Sequence, residues 1–251
     1  MSLAGKRALV TAGSRNLGVA VATRLARAGM SVGVNYHTSR EAAEDLVARL
    51  QRETGGNHVA IAADVTRPDE IRSMVADASG RLGGPIDILV NNAGPFGVTP
   101  FAQLTTEEWD RVWDANVKAT YLAVQAVVPG MRAAGWGRVV NLSAVSAYVR
   151  NRGMYTLAKS AVNTLTEQLA LELAPEITVN ALAPGQIQES LDDLREFVPE
   201  WADRVVRMTP AGRLVRREEL AEIVYLLCTP AFDLVTGLTI PVDGGLRLPR
   251  F

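Results

Sequence analysis

Tyr155 and Lys159 are the residues whose types and spacing most clearly suggest chemistry in this chain. Four residues apart on a helix, a phenol and an ammonium lie on the same face and reach each other. A neighbouring positive charge favours the phenolate, so the tyrosine would exchange protons closer to neutral pH than its ordinary pKa of about 10 allows. The pair is therefore predicted to act as a general acid and base.

The composition favours one α/β domain and excludes several classes of site. With 251 residues, 48% of them hydrophobic, the chain can bury a full core. A formal net charge of -1 indicates no basic stripe for nucleic acid, and the uncharged run at residues 119–131 is too short and polar for a membrane span. The single Cys228 excludes an internal disulfide, while His37 and His58 are predicted to be surface residues rather than metal ligands. We expect a cytoplasmic protein without metal, nucleic-acid or membrane partners.

Short apolar runs alternate with helical patterns, which predicts a parallel sheet covered on both faces. The predicted strands are Arg7–Thr11, Ser31–Tyr36, Val59–Ala63, Ile86–Asn91, Arg138–Ser143, Thr178–Ala183 and Gly237–Val242. The predicted helices are Leu17–Arg27, Arg40–Glu53, Pro68–Leu82, a long region opened by a capping box at Thr105 and Glu108, Met154–Leu173 and Glu218–Leu227. Residues 186–210 lack a clear period and are predicted to form a mobile flap with short helices. The fold class is thus α/β, a single domain over residues 1–251 with a Rossmann-type doubly wound sheet of seven parallel strands.

The first strand-to-helix turn, residues 11–18, is a candidate phosphate site. Such a turn presents free backbone N–H groups and the positive end of a helix dipole to a pyrophosphate. Its glycines are Gly13 and Gly18. Asn16 tolerates a positive φ better than most residues, and Ala12 is the smallest residue with a Cβ. Many parallel α/β proteins have such a turn, so it does not identify the function alone.

Taken together, the motifs resemble the short-chain dehydrogenase/reductase family from end to end, and its ketoacyl-reductase-like members in particular. The family's TGxxxGxG loop matches residues 11–18, with Ala12 and Asn16 in place of two glycines. The other matches are an adenine-contacting acid at Asp64-Val65, NNAG at residues 91–94, the helix asparagine at Asn116, YxxxK at Tyr155 and Lys159, PGxI at residues 184–187 and TGxxxxVDGG at residues 236–245.

This resemblance implies hydride transfer between a nicotinamide cofactor and a carbonyl or alcohol, with a small or acyl-type ketone as substrate. Tyr155 would protonate the carbonyl oxygen, Lys159 would lower the tyrosine's pKa and hold the nicotinamide ribose, and Asn116 would anchor a water of the proton relay. The cofactor-binding residues implied are Gly13, Ser14, Arg15, Leu17, Tyr36, Thr38, Ser39, Asp64, Val65, Asn92, Ala93, Gly94, Tyr155, Lys159, Pro184, Gly185 and Ile187.

The end of the second strand predicts NADPH rather than NADH. A site for NADH places an acid there for the ribose 2′-OH, whereas residues 35–40 contain no acid before Glu41. Arg15 would contact the 2′-phosphate, with Thr38 and Ser39 as hydroxyl donors. Ser39 also suits a helix cap.

The serine that polarises the carbonyl is harder to assign. The family usually reads N-x-S-S after the fifth strand, and here Ala144 stands at the second serine's place. Ser143 should point to the opposite face of the strand unless the strand end twists or bulges, and the shortened loop to Tyr155 is consistent with such a shift. Ser143 is therefore the predicted residue, with Ser146 and a site without serine as alternatives.

Surface and pocket residues complete the expectations. Residues 104–131 and 154–173 carry more apolar surface than one sheet face needs, and family members pair these helices, so a homotetramer is expected. Trp109 and Trp113 are predicted to pack in the core or at a subunit contact. The substrate pocket is expected to be lined by Pro95, Phe96 and the flap. The residues expected to make it apolar are Phe197, Val198 and Trp201. Two other functions stay open: a nucleotide-binding sensor or scaffold without turnover, and a C=N or C=C reductase resembling pteridine reductase.

Overall fold

The fold is a seven-stranded parallel sheet with helices on both faces. A computed structural model describes residues 3–97, 99–149, 153–197 and 199–248. The strands are β1 Arg7–Val10, β2 Ser31–Tyr36, β3 His58–Ala62, β4 Ile88–Asn91, β5 Gly137–Leu142, β6 Ile177–Pro184 and β7 Thr239–Val242. All neighbours pair in parallel, in the order β3-β2-β1-β4-β5-β6-β7. The predicted Rossmann-type α/β sheet is confirmed.

The helices connect these strands across the two faces. They are α1 Asn16–Arg27, α2 Arg40–Thr54, α3 Pro68–Leu82, α4 Thr106–Trp113, α5 Ala119–Ala133, α6 Met154–Leu173, α7 Leu191–Phe197, α8 Pro199–Met208 and α9 Arg217–Cys228. The long helical region predicted after Thr105 is interrupted between α4 and α5 by a π-helical segment, Asp114–Lys118. The capping box predicted at Thr105 and Glu108 is present only in part. The Thr105 hydroxyl accepts from Glu108 N at 3.2 Å, but the Glu108 carboxylate accepts from the Thr99 hydroxyl instead of completing the box.

Alternating strand residues divide the core into two layers. Val10 of β1 packs with α1, α2 and α9 on one face of the sheet, whereas Leu9 packs with α3, α5 and α6 on the other. Cys228 is buried at the end of α9, and burial raises the pKa of its thiol to about 12. Each layer covers one face of every central strand, which explains why the strands read as continuous apolar runs.

The prediction that His58 lies on the surface is wrong. His58 begins β3 and is 1% exposed. Its Nδ1 accepts from Val32 N at 3.2 Å, so its proton lies on Nε2, 2.8 Å from Thr54 Oγ1. Thr54 in turn donates to Leu50 O at 2.9 Å. Two neutral partners satisfy the imidazole inside the fold, an arrangement that the local sequence does not reveal.

Among the described residues, the edge strand β7 pairs only with β6, and its own four residues are half-buried. Leu238 O accepts from Ala181 N at 2.8 Å, and Val242 O accepts from Gly185 N at 2.9 Å. In a strand, alternate residues direct their N–H and C=O groups to the same side. Thr239 and Pro241 therefore direct theirs to the outer edge.

Residues 186–210 contain a 3-10 turn at Gln188–Ser190 followed by α7 and α8. Ile187 forms a parallel bridge with Val215, and α8 buries Ala202 and Val205. Val198, predicted to line the pocket, lies outside the described residues, and Trp201 is 37% exposed. The mobility of this flap stays a prediction. Among the described helices, none is long and apolar enough to cross a membrane.

Candidate active site

Helix α6 presents Tyr155 and Lys159 at the carboxyl end of the sheet. Lys159 is 3% exposed, and its Nζ donates to Leu142 O at 2.6 Å, where β5 ends. The same Nζ lies 5.4 Å from the centroid of the Tyr155 ring. Helical spacing therefore brings the two groups together as the sequence predicted.

The electrostatics of the pair differ from the expectation. Burial lowers the pKa of Lys159 to about 7, because an ammonium is poorly solvated in the interior. Burial also raises the pKa of the half-buried Tyr155, so the protein groups alone do not favour the phenolate. At neutral pH Tyr155 is then a protonated phenol, which suits a proton donor.

Asn116 occupies the centre of the π-helical segment and is 1% exposed. Its Nδ2 donates to Val112 O at 2.9 Å and to Pro95 O at 3.2 Å. Its Oδ1 is buried and has no partner in the part of the chain that the structure describes. A Cβ on Gly94 would lie 2.1 Å from this oxygen, so any larger residue at this position would clash with it. An unpaired buried acceptor of this kind fits a bound water.

Ser143 and Ser146 differ in what their hydroxyls contact. Ser143 is 3% exposed, and its Oγ contacts the Asn163 carboxamide and lies 3.2 Å from Lys159 O. Its backbone N donates to Leu182 O at 2.7 Å, and the β5–β6 register runs without a bulge up to Leu142. The expected register shift is therefore not present, and Ser143 faces α6.

Ser146 lies in the 3-10 turn Val145–Ala147 between β5 and α6 and is 9% exposed. Its Oγ has no hydrogen-bond partner among the described residues. A buried hydroxyl without a partner costs free energy and calls for an explanation.

The turn after β1 has the geometry of a phosphate cradle. Ala12 and Asn16, which replace two glycines of the motif, both have a φ of 48°. A Cβ on Gly18 would lie 2.4 Å from Ala12 O, so no larger residue fits there. The N-cap residue of α1, Arg15, makes no side-chain cap, and the first turn of the helix contains no acid. The first N–H groups of α1 therefore suit an anion such as a pyrophosphate.

Two residues outside the predicted cofactor-binding set brace this turn. Asn35 of β2 accepts from Ala12 N at 3.0 Å through Oδ1, and from Gly13 N at 2.8 Å through its carbonyl. Thr11 Oγ1 accepts from Asn92 N at 2.9 Å and from Ala93 N at 3.1 Å. The sequence could have indicated the role of Asn35, because a polar residue inside a buried strand needs hydrogen-bond partners.

The end of β2 lies beside the turn. Ser39 makes no side-chain cap on α2; its hydroxyl lies 2.8 Å from that of Ser14 instead. Arg15 and Thr38 are exposed, and Tyr36 is partly buried. The region offers hydroxyls and a cation to a phosphate without a facing acid on β2.

The remaining predicted cofactor residues lie at neighbouring strand ends. Burial opposes the ionisation of Asp64, but hydrogen bonds from Thr66 N and Oγ1 outweigh it and lower the pKa of the Asp64 carboxyl. Gly185 follows β6, and a Cβ there would lie 2.8 Å from Asp243. Leu17 is buried in the first turn of α1, and the other positions named are Val65, Asn92, Gly94, Pro184 and Ile187. In open α/β sheets, ligands bind in the crevice outside the carboxyl ends of the strands.

Comparisons with known proteins agree with this geometry. A family profile described as enoyl-(acyl carrier protein) reductase matches residues 11–247. The 3-oxoacyl-(acyl-carrier-protein) reductase FabG of Staphylococcus aureus is 36% identical over 246 residues, covering 97% of this chain and 98% of the relative.

Two solved structures share the fold. A short-chain alcohol dehydrogenase described as putative, from Sinorhizobium meliloti, superposes with a TM-score of 0.92 at 34% identity, covering 98% and 97% of the two chains. A gluconate 5-dehydrogenase from Burkholderia cenocepacia, solved with NADP and tartrate, superposes with a TM-score of 0.91 at 31% identity. The match covers 99% of this chain and 97% of the dehydrogenase. The end-to-end matches, together with Tyr155 and Lys159 at the carboxyl edge of the sheet, place this chain in the short-chain dehydrogenase/reductase family of NAD(P)-dependent oxidoreductases.

Proposed function

We propose that the protein is an NADPH-dependent carbonyl reductase that acts on a small or acyl-type ketone, with Tyr155 as the proton donor. The observation that carries the proposal is the position of the Tyr155 phenol beside the buried Lys159 amine, whose Nζ is 5.4 Å from the ring centroid. When bound, the nicotinamide cofactor supplies the hydride.

The chain's own residues hold the reactants and move the proton. Tyr155 Oη gives its proton to the carbonyl oxygen as the oxygen becomes negative. Lys159 is fixed at Leu142 O and, when protonated, stabilises the phenolate that remains. The Oδ1 of Asn116, which has no partner among the described residues, would hold a water that returns a proton toward Lys159.

The test of this chemistry is Tyr155→Phe. The substitution removes the proton and little volume, so NADPH consumption with a panel of ketones should fall by at least about 100-fold, the lower range for a general acid. NADPH binding should remain nearly unchanged. Tyr225→Phe on α9 is the matched control and should keep full activity. NADPH binding without consumption by the native chain would support a sensor instead.

The preference for NADPH is supported by the lack of an acid at the end of β2 and by the exposed Arg15. Arg15→Ala should raise KM for NADPH much more than KM for NADH, because it removes a charge-assisted contact to the 2′-phosphate. Arg27→Ala, at the other end of α1, is the control. A native preference for NADH would contradict this part of the proposal.

Ser146 replaces Ser143 in our proposal for the group that polarises the carbonyl. The Ser143 hydroxyl is already engaged by α6, whereas the Ser146 hydroxyl is buried without a partner among the described residues. Ser146→Ala should lower kcat by about 100-fold or more, the usual effect of losing an oxyanion donor. Ser143→Ala should act mainly on stability. A large loss of kcat in Ser143→Ala and not in Ser146→Ala would assign the role to Ser143. Small losses in both variants would indicate that Tyr155 alone polarises the carbonyl.

A homotetramer is supported by large apolar side chains that are exposed on α4, α5 and α6. They are Trp109, Tyr121, Leu157 and Leu171. Trp109 is 38% exposed, and its ring stacks on that of Trp113. Exposed apolar surface of this kind is typical of subunit contacts. Light scattering at micromolar concentration should give four times the mass of the chain, and a monomer would contradict the proposal.

A further inference from the structure

Phe96 forms a ring pair with the proton donor. The centroids of Phe96 and Tyr155 are 5.0 Å apart, and the rings meet edge to face at 73°. A substrate oxygen that accepts the proton of Tyr155 has to come within about 3 Å of its hydroxyl. Phe96 therefore borders the space beside Tyr155 in which the substrate would lie.

Phe96 is 53% exposed even though its loop is anchored on both sides. Pro95 O accepts from Asn116 Nδ2 at 3.2 Å, and Thr99 Oγ1 donates to Glu108 at 2.8 Å. Large apolar side chains held in place beside a reactive group, with half of their surface exposed, mark binding sites for apolar ligands. Residues 93–104 contain no charged side chain, so this wall offers no counter-ion to an anionic substituent.

We propose that Phe96 is a specificity-determining residue that selects neutral ketones carrying an aromatic ring next to the carbonyl. The inference rests on the proposed carbonyl reduction. A phenyl ring favours an aromatic neighbour over a saturated ring of the same size through edge-to-face or offset contact. This preference corresponds to a factor of about 3 to 10 in kcat/KM.

Acetophenone and cyclohexyl methyl ketone are matched substrates, because they differ only in the saturation of the ring. The measurement is the ratio of their kcat/KM values with NADPH, compared between variants so that their intrinsic reactivities cancel. Phe96→Leu should lower the ratio of the aromatic to the saturated ketone about 3- to 10-fold, and Phe96→Tyr should keep it. Phe101→Leu is the control, because Phe101 is 58% exposed in the same segment and forms no ring pair with Tyr155 among the described residues.

An unchanged ratio in Phe96→Leu would overturn the inference. An equal loss with both ketones would also overturn it, since Phe96 would then only position Tyr155. These results leave the proposed reduction intact. Absence of NADPH consumption with every carbonyl compound would instead contradict the proposed function, and the inference with it.

Discussion

Ala12 holds a backbone conformation that glycine adopts with little strain. Its φ of 48° lies in the left-handed region, where a Cβ crowds the backbone. The bonds from Ala12 N and Gly13 N to Asn35 keep the residue in this conformation. The turn therefore holds a left-handed residue at a position where the family motif has glycine.

Ala12→Gly should stabilise the protein by about 0.5–1 kcal/mol, because relief of the left-handed strain exceeds the extra entropy of the unfolded chain. Urea denaturation of the two proteins measures this difference. Ala20→Gly, within α1, is the control and should destabilise, since glycine weakens a helix interior. An equal loss in both variants would show that Ala12 is not strained.

Lys159 should make stability depend on pH. Its pKa is about 7 in the folded chain and about 10.4 when unfolded, so the unfolded state binds more protons between these values. The free energy of unfolding therefore rises with pH in this window. From pH 7 to 9 the native chain should gain about 2 kcal/mol relative to Lys159→Met. Cys228, which titrates in both proteins, cancels in the comparison. Parallel pH profiles for the two proteins would contradict the assignment.

The sequence predicted the Tyr155 and Lys159 pair because helix geometry fixes the relation between residues four apart. It did not predict the contacts of Ser143, which depend on the β5–β6 register and on Asn163 of α6. Nor did it show that burial would oppose the lysine's effect on the phenol. The spacing of residues within one helix predicts which side chains meet, whereas contacts between distant segments cannot be predicted from spacing.

At the scale of elements, α6 and β2 have the predicted bounds because their apolar patterns are long and clearly ended. The strand β4 begins two residues later than predicted, at Ile88. The π-helical segment around Asn116 was not predicted, because the apolar pattern continues through it without a break. Asn116 in this segment donates to the Pro95 carbonyl, so the π-helical segment holds the loop that is expected to line the substrate pocket.

The contact between α2 and β3 should be sensitive to acid through His58. Burial lowers the pKa of His58, and a second proton on Nδ1 would face the N–H of Val32. The unfolded state then binds more protons, so stability present at neutral pH is lost as the pH falls below about 6.5.

Comparison with His58→Gln tests this. The native chain should lose stability relative to the variant by up to about 1.4 kcal/mol per pH unit below that value. His37→Gln, at a side chain 65% exposed, should leave the native pH profile in place. If His58→Gln keeps the native acid profile, another group causes the acid sensitivity.

For the whole molecule, the sheet order places β1 between β2 and β4, so the chain crosses from one half of the sheet to the other after β3. The crevice opened at this switch point explains why motifs far apart in sequence, from Ala12 to Gly185, meet at one edge. The alternation of strands and helices predicted this arrangement. The distances within it depend on long-range packing and had to come from the structure.

The outer edge of β7 lacks one backbone hydrogen-bond donor. Pro241 faces that edge without an N–H, and Thr239 O is 3.5 Å from the Tyr148 hydroxyl. Another strand cannot form a regular ladder against a missing donor. A strand added along this edge would therefore lack one hydrogen bond at Pro241.

Pro241→Val should restore a donor on the free edge and promote strand addition between molecules. Turbidity and thioflavin fluorescence after prolonged incubation should rise, with little change in melting temperature. Ile240→Val, whose N–H faces β6, is the control and should remain clear; equal behaviour of the two variants would contradict the idea. In this prediction, the missing N–H of one proline protects the sheet's last strand from strand addition between molecules.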